Sequence, residues 1–85
     1  MWTTYILKST TKKWYYVGST NRITERVTEH NRGKTASTKK YRPLELVFIK
    51  EFNLEEEARS YEQKLKKCRK EKKLIIRQIE NNINQ

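Results

Sequence analysis

The stretch Tyr16-Val17-Gly18-Ser19, continuing through Thr20-Asn21 to Arg26 and His30, decides how the rest of the chain is read. A short run of strand-favouring residues ends in a glycine and a small-polar turn. A helix is predicted next, with Asn21 as its N-cap and a span of about Arg22 to Asn31, ending before Gly33. On it Ile23 and Val27 make the core-facing stripe, and Arg22, Arg26 and His30 form another row four residues apart. Arg26 and His30 therefore point at one common object near the end of the strand that carries Tyr16.

Towards the N-terminus, Trp2 to Ser9 carries Tyr5, Ile6 and Leu7 and reads as a strand, followed by the polar turn Thr10-Thr11-Lys12-Lys13. Trp14-Tyr15-Tyr16-Val17 is the second strand, so residues 2–19 form an antiparallel hairpin. If paired positions sum to an odd number, Tyr5, Leu7, Trp14, Tyr16 and Gly18 share a face; the turn alone does not prove that register. Gly18 provides a backbone geometry or a close approach that a side chain would block.

Towards the C-terminus, residues 31–43 contain almost no apolar side chains and many cations, which reads as a long surface loop. Leu44 to Phe52 is a third strand. Asn53-Leu54-Glu55-Glu56 resembles a capping box, opening a helix whose apolar face is Leu54, Ala58, Tyr61, Leu65 and Cys68. Its start is acidic and its end basic, as the helix dipole favours. Glu62 sits beside the buried stripe, four residues past Ala58. A third helix is expected from about Lys70 to Asn81 with Leu74, Ile75 and Ile79 facing in, and Asn82 to Gln85 is expected to fray. The whole of 1–85 reads as one α+β domain, a three-stranded antiparallel sheet flanked by about three α-helices.

The 85 residues carry 20 Lys+Arg against 10 Asp+Glu, a formal charge of +10 and a pI near 9.9. On a domain this small, that balance is the electrostatic footprint of a nucleic-acid binder. Cys68 is the sole cysteine, which excludes an internal disulfide framework and any cysteine-based zinc site; it reads as a helix-face filler in a reducing compartment. The start at Met1-Trp2 lacks the basic and apolar regions of a signal peptide, and no apolar stretch nears the roughly 18 residues of a spanning helix. A cytoplasmic protein with no membrane partner is expected, or a nuclear one in a host with a nucleus.

Phosphodiester hydrolysis needs an activated water, charge stabilisation on the phosphoryl oxygens and help for the departing 3′ oxygen. Arg26 has the guanidinium that matches phosphate geometry. Glu62, a lone carboxylate, can hold Mg²⁺ if waters and substrate phosphate complete the shell. Tyr5 or Tyr16 could act as general base or position the water, and His30 could contact phosphate or pass a proton. Each residue alone has a dull reading as core or solvated surface. Their combination carries the signal.

Tyr5 in Thr3-Thr4-Tyr5-Ile6-Leu7, followed by Tyr16-Val17-Gly18-Ser19, resembles the two half-motifs of the GIY-YIG nuclease superfamily, in particular its small single-domain, excision-repair-subunit-like members. Asn21, Arg26 and His30 fall where that family places its turn, catalytic arginine and frequent histidine. Arg42-Pro43-Leu44-Glu45-Leu46-Val47 looks like its lead into the third strand, and Glu57-Ala58 with Glu62 and Leu65-Lys66 is similar to its metal-glutamate helix. The likeness spans residues 2 to about 76. Two departures stand out: Thr3-Thr4 replaces Gly-Ile, and neither Asn81 nor Asn82 suits the asparagine that many relatives carry after the metal helix.

The resemblance implies a DNA endonuclease with Tyr5, Tyr16, Arg26, His30 and Glu62 around one Mg²⁺ or Mn²⁺ on Glu62. It implies DNA-backbone contacts from Lys39, Lys40, Arg42 and the run from Lys64 to Lys73, including Lys67 and Arg69, with little sequence specificity. In larger members a separate domain supplies targeting; here substrate choice falls to DNA structure, a protein partner or weak specificity. A non-catalytic nucleic-acid-binding module on the same fold and an adaptor for an acidic protein are the competing readings.

Overall fold

The computed structural model describes residues 1–83. Strands β1 (Trp2–Ser9), β2 (Tyr15–Thr20) and β3 (Leu44–Phe52) form an antiparallel sheet in the order β2-β1-β3. The β1–β2 register pairs Tyr5 with Gly18 and Leu7 with Tyr16, the odd-sum pairing, so the aromatic motif residues do share a face. The second strand begins at Tyr15. Trp14, expected inside it, lies just before it: its carbonyl still accepts the Ser9 N–H at 3.0 Å, and its ring stacks on Tyr41 with centroids 3.8 Å apart.

One face of the sheet is covered by α1 (Ile23–Asn31), whose Ile23 and Val27 pack on Tyr5, Leu7 and Leu44. Asn21 is not the N-cap. Arg22 takes that position, and the Thr20 hydroxyl accepts its backbone N–H at 3.0 Å, so Asn21 lies in the turn only. The C-terminus follows expectation: Gly33, at φ 81°, donates to the His30 carbonyl while Lys34 N–H reaches that of Glu29. That is the paired closure which a left-handed glycine permits. Asn31 then clamps the start of β3, accepting from Leu44 N–H at 2.7 Å and donating to its carbonyl at 3.0 Å.

The stretch 31–43 is more than a loop. It contains a one-turn helix, α2 (Ala36–Lys39), whose Thr38 is fully buried.

The opposite face is covered by α3 (Glu55–Lys67) and α4 (Arg69–Ile83), where Leu65, Tyr61 and Ile75 close over Ile6 and Val17. A register shift between Ile6 and Leu7 lets Val47 and Phe48 both pack on this side. The expected capping box is absent: Leu54 is the N-cap of α3 and no side chain caps it. Leu54 and Leu74 are 58% and 60% exposed, and Cys68 is exposed, so three positions assigned to buried helix faces look outward. Ala58, Leu65 and Ile79 are buried as expected. Helix α4 continues to Ile83, two residues past the expected end at Asn81, and the last residues of the tail expected to fray lie outside the described residues. Among the described residues, no helix is long and apolar enough to cross a membrane.

Candidate active site

The hairpin register decides the site. Tyr5 sits in the central strand opposite Gly18, and a Cβ on Gly18 would lie 2.6 Å from the Tyr5 hydroxyl oxygen. Glycine is needed there for close approach: any side chain would push the phenol from its place. Tyr5 is 1% exposed, and its oxygen lies 3.0 Å from His30 Nε2. Helix α1 delivers His30 beneath the sheet, while Tyr16 flanks both rings, its centroid 5.0 Å from that of His30 and 6.3 Å from that of Tyr5. Tyr16 is half-buried where Tyr5 is enclosed.

Arg26, one turn before His30, adjoins the Tyr5 hydroxyl and is held by Glu29 at 3.1 Å. Glu29 also meets Arg22 at 3.5 Å, so a single carboxylate steadies two of the three members of the basic row. Burial lowers the guanidinium pKa, but the contacts with Glu29 and Tyr5 outweigh it and the net shift is upward. Arg26 stays charged, with a third of its side chain open to solvent.

The titrations of Tyr5 and His30 diverge. Burial, then Tyr16 and more weakly Glu62, push the Tyr5 phenol up to about 12 against the opposing pull of Arg26. Burial and the Arg26 charge lower His30 below its ordinary 6.5, with Glu29 pulling the other way, so the imidazole is neutral at pH 7. Its Nδ1 lies 2.8 Å from the Thr38 hydroxyl.

Glu62 approaches from the other face of the sheet. The buried Thr4 hydroxyl donates to the Ala58 carbonyl at 2.8 Å, and Ser19 donates to the same oxygen at 3.2 Å. In a regular helix that carbonyl also accepts the backbone N–H four residues on, which belongs to Glu62. The second threonine of the divergent Thr3-Thr4 pair thus pins the turn of α3 that presents the carboxylate. The Glu62 side chain is 17% exposed and its Oε2 is 2.7 Å from Lys66 Nζ. Among the described residues, no three His, Cys, Asp or Glu side chains form a metal cage. The donor set instead fits a magnesium-like ion that keeps water and phosphate oxygens for most of its shell.

The candidate DNA-binding cations fall into two groups. Lys39, Lys40 and Arg42 border a shallow depression with Asn31 and Pro43. Arg42 is also structural there, donating to the Lys39 carbonyl at 2.9 Å and lying over Gly33. Lys64, Lys67 and Arg69 are at the α3–α4 junction, where Lys64 is paired with Glu71 at 3.4 Å. Sequence reasoning missed Glu29, Thr38, Thr4 and Ser19. Only Glu29 had a local signal, its opposite charge three residues past Arg26.

With this geometry in place, the class is settled by comparison: the GIY-YIG catalytic domain model matches residues 1–75, and the chain belongs to that nuclease-type family. It is 42% identical over 79 residues to the "UPF0213 protein YazA" of Bacillus subtilis (strain 168), which covers 91% of this chain and 79% of that protein. No solved structure matches it.

Proposed function

We propose that the chain is a single-domain DNA endonuclease that hydrolyses phosphodiester bonds with one divalent metal. The observation that carries this reading is the buried hydrogen bond between Tyr5 and His30, with the charged Arg26 at its open side. A tyrosine that helps a water attack must dispose of a proton, and Tyr5 has an acceptor in place. With its own pKa near 12 and that of His30 lowered, the phenol is not ionised in advance. Its proton moves to Nε2 as the water's proton arrives, so His30 ends the step as the proton holder. Arg26 orients the phosphate and steadies its developing charge. Tyr16, at the mouth, positions the water or the substrate. Glu62 would hold Mg²⁺ or Mn²⁺, which supplies Lewis-acid stabilisation at the departing 3′ oxygen. Lys39, Lys40 and Lys67 would hold the DNA backbone.

One observation favours the binding-only alternative: the Lys66 ammonium already occupies the Glu62 carboxylate. The test is to incubate the protein with single-stranded, duplex, nicked and branched DNA in Mg²⁺, Mn²⁺ or EDTA, beside Arg26→Ala and Glu62→Gln. Metal-dependent cutting that both variants lose is expected. Salt-sensitive binding without cutting on any substrate would replace the nuclease reading with the binding module.

A further inference from the structure

The short helix α2 gives the proposed function only the DNA contact of Lys39, yet it buries Thr38 completely and aims its hydroxyl at the far side of the imidazole. A neutral imidazole carries one proton and has two nitrogens on which to hold it. The surroundings decide between them. The Tyr5 oxygen lies 3.0 Å from His30 Nε2, and its other polar neighbour is the Arg26 guanidinium, which only donates. A buried phenol proton needs an acceptor, so Tyr5 donates to Nε2. Nδ1 then carries the imidazole proton and donates to Thr38 Oγ1 at 2.8 Å. Thr38 in turn points its own proton at the Thr35 carbonyl, 3.4 Å away. In this direction every donor in the chain has an acceptor, in keeping with the absence of unpartnered buried side-chain N or O atoms among the described residues. Reversed, the chain leaves the Tyr5 proton facing a cation.

We infer that Thr38 is a positioning residue: by accepting the Nδ1 proton it stabilises the His30 tautomer that the buried Tyr5 proton also requires, and so helps keep Nε2 open to that proton. Its effect on cleavage rests on the proton route under Proposed function; the tautomer does not. The threonine reaches the imidazole only because α2 turns the chain between Gly33 and Pro43, with Thr38 N–H and Lys39 N–H both closing on the Thr35 carbonyl. A threonine that merely filled space beside a buried histidine would leave the tautomer unchanged when its hydroxyl is removed.

The chain has one histidine, so a long-range ¹H–¹⁵N spectrum of labelled protein shows one pair of ring nitrogens. Above the His30 pKa, the wild type should show a protonated, pyrrole-like Nδ1 and an unprotonated, pyridine-like Nε2. Thr38→Val, which keeps the shape and removes the hydroxyl, should shift the proton towards Nε2, and Thr38→Ser should restore the wild-type pattern. On a substrate that the wild type cuts, Thr38→Val should lower kcat about 10–100-fold with KM for DNA unchanged, and Thr38→Ser should recover it. A wild-type spectrum with the proton on Nε2 overturns the inference even if Thr38→Val fails to fold. So does an unchanged tautomer in Thr38→Val, or a changed tautomer with full activity. Failure of the wild type to cut any DNA sinks the nuclease reading and leaves the tautomer result standing.

Discussion

The two faces of the sheet are built from neighbouring residues of β1 and do opposite work. Tyr5 and Ile6 are adjacent, and both are buried. Tyr5 points to a face where His30, Thr38 and Arg26 form a connected polar chain. Ile6 points to one where Val17 and Leu65 form an apolar cluster, with Tyr61, Phe48 and Ile75 around it. Side chains alternate along a strand, so one step of the backbone separates the Tyr5–His30 proton route from the stabilising core. Burial has two uses here. On one side it removes water from apolar carbon. On the other it sets which atom holds a proton.

The largest effect should come from Tyr5→Phe, which leaves the ring in place and removes the proton route. Cleavage should fall about 10²–10⁴-fold while circular dichroism and the folded state persist. Equal activity in this variant, with loss in Tyr16→Phe, would move the base role to Tyr16 and break the assignment of chemistry to the Tyr5 chain. Leu65→Ala tests the other face. It should lower unfolding free energy by about 2–5 kcal/mol in urea titration, with cleavage per folded molecule unchanged. A variant that stays fully stable yet stops cutting would mean that the apolar face also aligns the site.

A smaller effect should follow pH. His30 has a folded-state pKa below its ordinary 6.5, because burial and Arg26 disfavour its charged form. As pH falls, the unfolded chain takes up the proton first. The stability contributed by neutral His30 is therefore present above about pH 6.5 and is lost as pH falls through the folded pKa. Glu29, whose pKa is lowered from 4.5 chiefly by Arg26, joins only at lower pH. The urea midpoint of the wild type should decline through the higher window, and that of His30→Gln should not; a shared slope would place the titrating group elsewhere. The smallest effect belongs to Leu74→Ser. On an exposed position of α4 it should change stability by less than about 0.5 kcal/mol, whereas a larger loss in urea titration would show that α4 buries a face which the structure leaves open.

Much of the frame was legible because it repeats locally. The β3 limits, the core stripe of Ile23 and Val27 and the stop at Gly33 came from periodicity or turn chemistry, whereas the hairpin register, conditional in the sequence, is decided by the sheet. Arg26 and His30 were paired by helical spacing, and Gly18 was marked as a point of close approach before its partner, the Tyr5 hydroxyl, was visible. The errors are equally local. Asn21 and Asn53 have good capping side chains, but the helices start one residue after a non-capping Arg22 and Leu54. Leu54, Cys68 and Leu74 fit an apolar repeat, yet helices laid on a small sheet leave such positions in solvent. The partner of His30 was hidden in a stretch that pattern alone reads as loop, eight residues beyond the histidine.

What this sequence determined by itself is the inventory and the periodicity: strand alternation that separates Tyr5 from Ile6, helical spacing that aligns Arg26 with His30, and a basic surface. Tertiary structure alone decided the pairings between distant segments. These are the Thr4 and Ser19 hydroxyls on the α3 carbonyl below Glu62, and the Thr38 hydroxyl on the hidden nitrogen of His30. The reason is physical. Periodicity records which side of an element is dry, whereas a hydrogen bond across the fold depends on where two elements come to rest against each other.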